Sequence, residues 1–125
     1  MKPRENLVRL KQFKANEKRR QLHQLDMMIA EFERMATELD VQIAAEERKA
    51  GITDVNHFAY PTFAKAARLR RDNLRNSQAD LAQQKELAEA QLAEAEAELA
   101  KAEMLESRDT RHREPETPSR SAMIG

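Results

Sequence analysis

Gly51-Ile52-Thr53-Asp54-Val55-Asn56-His57-Phe58-Ala59-Tyr60-Pro61 is the one internal stretch of this chain that resists a helical reading. The segments on either side are long, charged and almost free of helix breakers. Glycine is favoured just past a helix end, where the backbone turns through a left-handed conformation. Proline is favoured at a helix start, where its missing amide would have had no partner. Gly51 therefore predicts the end of one helix and Pro61 the opening of a second. The natural product is a pair of helices folded back on each other, with 51–60 as the tip. Thr53 is expected to cap a short turn there, accepting from the amide of Val55 or Asn56. Phe58, Tyr60 and Phe63 are three of the five aromatics in the chain. Two readings of them stand: they plug the end of the hairpin, or one of them is held out to a partner.

Outward from the tip, the first helix is expected over about 4–50 and the second over about 61–109. From Leu22 the apolar positions of the first advance by alternating threes and fours: Leu22, Leu25, Ile29, Phe32, Ala36, Leu39, Ile43. That is the heptad seam of a coiled coil, widened on one flank by Met28 and Met35. Upstream, Leu7, Leu10 and Phe13 form an offset stripe, so the later register is not expected to reach the N-terminus. In the second helix Leu74, Leu81, Ala88, Ala95 and Ala102 recur every seven residues, with Leu92 and Leu99 at the companion position. Arg71, Gln78 and Lys85 interrupt that companion row. Alanine dominates from residue 88 onward and offers little bulk, so the best packing is expected near the tip. The resulting fold class is all-α, an antiparallel two-helix coiled-coil hairpin. Residues 110–125 contain Pro115 and Pro118, show no periodicity, and are expected to form a disordered tail.

Charge argues for the same topology. Residues 1–25 carry eight Lys/Arg against two acids (+6), and residues 26–50 three against seven (−4). Residues 51–76 carry five against two (+3), residues 77–106 two against eight (−6), and the rest four against three (+1), for a net charge of zero. Folding at the tip sets +6 beside −6 and −4 beside +3. A parallel arrangement would match like with like. Single surface pairs are worth only about 0–1 kcal/mol, but every block points the same way.

Several functions find no support in the residues. There is no phosphate loop, dinucleotide fingerprint or nucleophile elbow, and with two glycines no backbone cradle. The serines have no His/Asp partner at a suggestive spacing. His23, His57 and His112 lack metal-ligand spacing, and Cys is absent. The chain is therefore expected to be no enzyme, with no cofactor and no metal. No apolar run approaches the roughly 20 residues that span a bilayer, and the start lacks the apolar core of a signal peptide, so a cytoplasmic location is expected. The Lys11–Arg20 and Arg68–Arg75 runs are dense enough to touch phosphates. They face acidic blocks, however, and contain no interleaved aromatic to stack on bases, so nucleic acid is not the expected partner.

Two surfaces remain as candidate partner-binding sites. One is the basic face of Arg9, Lys11, Lys14 and Lys18, unless Glu94, Glu96 and Glu98 neutralise it across the hairpin. The other is the aromatic tip at Phe58 and Tyr60.

Glu17-Lys18-Arg19-Arg20-Gln21, Ile29-Ala30-Glu31-Phe32-Glu33-Arg34-Met35, the tip from Ala50 to Pro61, and Ala64-Lys65-Ala66-Ala67 carry a more specific likeness. The chain resembles the FliJ family, the small coiled-coil proteins of the bacterial flagellar type III export apparatus, in its short alphaproteobacterial form. The likeness covers nearly all of residues 4–109. It implies an antiparallel hairpin similar to the stalk of rotary ATPases. It further implies a non-enzymatic component that couples the hexameric flagellar export ATPase to the membrane export gate. The implied partners are that ATPase, the cytoplasmic domain of the gate protein, and export chaperones. The implied place is the cytoplasm, at the inner face of the inner membrane through those partners. A generic coiled-coil adaptor or chaperone is the alternative, and a nucleic-acid-associated hairpin a more distant one.

Overall fold

The computed structural model describes residues 3–113, and two helices account for most of them: α1, Pro3–Ala50, and α2, Thr62–Arg113. Long runs of Glu, Lys, Arg, Gln and Ala favour helix intrinsically, and Arg48 and Lys49 in the last turn of α1 oppose its negative end. Gly51 ends α1 as the sequence predicts. Its φ of +71° is left-handed, and its N–H and that of Ile52 both donate to the carbonyl of Glu47, at 2.8 and 3.3 Å.

Beyond Gly51 the tip is closed by side chains other than the expected one. Asp54, not Thr53, provides the cap. Its Oδ1 accepts from the Asn56 N–H at 3.0 Å, and its carbonyl accepts from the His57 N–H at 3.1 Å. A carboxylate reaching two residues ahead closes an Asx turn more directly than a threonine one residue earlier. His57 repeats the device: Nδ1 accepts from the Ala59 N–H and the carbonyl from the Tyr60 N–H, both at 3.0 Å. The Pro61 carbonyl then accepts the first helical bond, from Lys65 N–H at 3.0 Å, so Pro61 is the cap and α2 begins one residue later than expected. At its far end α2 passes 109 and continues to Arg113, with the Thr110 hydroxyl donating to the Glu106 carbonyl at 3.0 Å. The remainder of the expected tail, 114–125, lies outside the described residues.

The helix pair divides into two compact units, Leu22–Leu87 and the residues up to Gln21 with those from Ala88. In the first, which contains the tip, Asp40 pairs with Arg71, Glu33 with Arg75 and Asp26 with Lys85. Each step back along α1 is matched by a step forward along α2, so the two helices run antiparallel. In the second unit Lys18 meets Gln91, Lys11 meets Glu98 and Arg4 meets Asp109, in the same sense.

Packing differs between them as the sequence suggests. The tip unit buries Ala36, Leu39, Ile43, Tyr60, Ala64, Ala67 and Leu81, and Leu74 packs against the cluster of Leu39, Ile43 and Ala67. The other unit buries Val8, Ala15, Ala88 and Ala102, none larger than valine. One expectation fails. The seam of α1 does not change register upstream: Val8, Lys11, Ala15 and Lys18 continue the three-four spacing into Leu22, with Val8 and Ala15 buried and both lysines half-buried. Leu10 and Phe13 lie off that row, at 50% and 62% exposure. A lysine stem can cover seam surface while its ammonium leaves sideways, which lets two cations occupy core positions of a narrow pair.

Candidate docking surfaces

The basic face separates into two kinds of residue. Lys11 and Lys18 belong to the seam. Lys11 Nζ reaches Glu98 Oε2 at 2.7 Å, and Lys18 Nζ donates to Gln91 Oε1 at 3.1 Å. The Lys11 ammonium holds the Glu98 carboxyl below its ordinary value, with Lys14 and Lys101 adding to the effect. Arg19 lies 3.6 Å from Glu96. Much of the charge expected to be free is thus used within the helix pair. Arg9 and Lys14 are different: both are exposed, and neither has a salt-bridge partner among the described residues. A shallow groove of about 370 Å³ runs beside Lys14, lined also by Lys18, Gln21, Glu94, Ala95 and Glu98.

The tip residues divide as sharply. Tyr60 is 7% exposed, and its hydroxyl donates to Glu47 Oε2 at 2.8 Å while accepting from Arg68 Nε at 3.0 Å. It ties the end of α1 to the start of α2 and has little surface left for a partner. Phe58 is 96% exposed, stacked on the His57 ring at 4.7 Å between centroids. The first reading of the aromatics therefore holds for Tyr60, while Phe58 has the exposure that the second requires. Phe63 is also open, at 54%. What separates Tyr60 from Phe58 is the hydroxyl, which finds a carboxylate and a guanidinium. The Glu47 and Arg68 partners are not visible from local spacing.

No protein-family model matches the chain, and no curated protein or solved structure matches it significantly. Among the described residues no helix is long and apolar enough to cross a membrane, and no group of three or more His, Asp or Glu side chains gathers as metal ligands would. The arrangement offers contact surfaces along the helices and at the tip.

Proposed function

We propose that this chain is a coiled-coil component of a flagellar protein export apparatus, coupling the export ATPase to the membrane export gate and assisting delivery of substrates and their chaperones. The reading rests on the likeness to the FliJ family carried by residues 17–21, 29–35 and above all the non-periodic tip 50–61. The antiparallel helix pair supports it, because that is the form a stalk-like coupling element takes. A protein of this kind works by contact, without chemistry of its own, in the cytoplasm at the inner face of the membrane.

Arg9 and Lys14 are the charged groups best placed to steer such contact, being exposed and without a salt bridge among the described residues, with Phe58 a smaller apolar contact at the tip. Recovery of the export ATPase or the gate protein with this chain from a lysate of motile cells is the test. The Arg9→Glu/Lys14→Glu double variant should then associate more slowly, and with a flatter salt dependence, while its helix content is unchanged. Recovery of neither protein ends this reading and leaves an adaptor of another assembly.

A further inference from the structure

The two flanks of the tip unit are built from different chemistry. One carries Glu33, Asp40 and Glu47 of α1 against Arg68 and Arg75 of α2, and ion pairs close it along its length. By heptad position the opposite flank carries Met28 and Met35 of α1 against Phe63, Arg70 and Ser77 of α2. No ion pair crosses it among the described residues. Instead a shallow cavity of about 250 Å³ opens there, lined by Met35, Arg70, Asn73, Leu74 and Ser77. Met28 and Phe63 extend the apolar surface, at 46% and 54% exposure. Arg70 is exposed at the edge of the cavity and has no salt-bridge partner among the described residues, although Arg68, Arg71 and Arg75 around it all have one.

We infer that this flank is a docking groove for a third helix, supplied by another protein and carrying an apolar stripe bordered by carboxylates. Two antiparallel helices leave a groove of the width a third helix fills, as ridges of one helix fill the grooves of its neighbours. Methionine side chains are unbranched and polarizable, and they adapt to partners of differing shape. The sign of the partner is set by Arg70, whose guanidinium can take a carboxylate in a two-pronged hydrogen bond. The row Met28, Met35, Phe63, Arg70 and Ser77 contains no carboxylate, so a second copy presenting the same row would offer Arg70 no partner of opposite sign. The inference goes beyond the export reading and does not depend on it.

The full chain with its methionine methyls labelled by carbon-13 reports directly on this flank. Titrated with a synthetic amphipathic peptide of leucine stripe and glutamate borders, the Met28 and Met35 methyl signals should shift saturably, while those of Met27 and Met104 stay in place. The same peptide with lysine borders should bind at least threefold more weakly. Arg70→Glu should weaken the glutamate peptide about three- to tenfold and reverse the preference, with an unchanged helical spectrum. Three results overturn the inference. These are equal shifts at Met27 and Met104, equal binding of both peptides to the native chain, and concentration-dependent shifts of Met28 and Met35 without peptide, which would assign the flank to self-association.

Discussion

Tyr60 and Phe58 stand two positions apart in one turn, and the turn uses them in opposite ways. Tyr60 is buried with its hydroxyl between Glu47 and Arg68, whereas Phe58 projects almost wholly into solvent. Replacing Tyr60 by phenylalanine keeps the ring but removes a donor and an acceptor from a partly buried set of charged groups. We expect a loss of about 1.5–3 kcal/mol, the range for a hydrogen bond to a charged partner. Phe58→Ser removes only the exposed stacking on His57 and should change stability by less than about 0.5 kcal/mol. Urea denaturation of both variants separates the roles. A Phe58→Ser loss as large as that of Tyr60→Phe would mean that Phe58 plugs the tip after all.

Each helix carries seam positions of two qualities, and they should respond to substitution with opposite sign. Leu39 lies at 7% exposure in the cluster with Ile43 and Ala67, where the neighbouring helix cannot close over a deleted side chain. Leu39→Ala should cost about 2–3 kcal/mol, the low end for a buried leucine because the seam is narrow. Lys18 occupies an equivalent row but is half-buried with its ammonium on Gln91. Lys18→Leu exchanges one polar contact for apolar burial in the unit whose buried side chains are Val8, Ala15, Ala88 and Ala102, and should stabilise by roughly 1 kcal/mol. Denaturation midpoints for the two variants measured against the native chain decide this. A destabilising Lys18→Leu would show that the hydrogen bond to Gln91 outweighs the apolar gain.

At the scale of the molecule, alternating charge blocks become cross-helix pairs in both units, and they give stability a definite acid dependence. In the tip unit Gln78 and then Arg75 hold the Glu33 carboxyl below its ordinary value of 4.5. In the other unit Lys11 does the same for Glu98. A carboxyl whose folded value is depressed contributes stability above its unfolded value, and that contribution disappears as pH falls through the folded value. Stability should therefore hold down to about pH 4.5 and then decline as these groups take up protons. Both carboxylates are well exposed, so the decline should be gradual and should shrink in high salt. Thermal melts followed by helical signal between pH 7 and pH 3 test this, and Glu33→Gln should flatten the curve. A melting temperature that rises below pH 4.5 would contradict the assignment.

The two helices, their break at Gly51 and their antiparallel sense were legible in the sequence. Helix propensity, a left-handed glycine and block charge all act over short range or by simple summation, and those quantities survive without coordinates. The heptad row from Leu22 to Ile43 and the weaker alanine-rich half of α2 followed from the same periodicity. Tertiary structure alone decided which turn residue caps the tip, since Thr53 and Asp54 are both competent and only the path of the backbone selects Asp54. It also decided the register of the N-terminal turns. There the apolar offset of Leu10 and Phe13 competed with the row of Val8 and Ala15, and the match to α2 prevailed by leaving two large side chains exposed. The candidate surfaces were the least legible part. Whether Lys11 or Lys14, Tyr60 or Phe58 is free depends on groups up to 87 residues away in the chain, as Lys11 and Glu98 are. A one-dimensional pattern records that a charge or an aromatic ring is present; only the facing helix determines whether it is already satisfied.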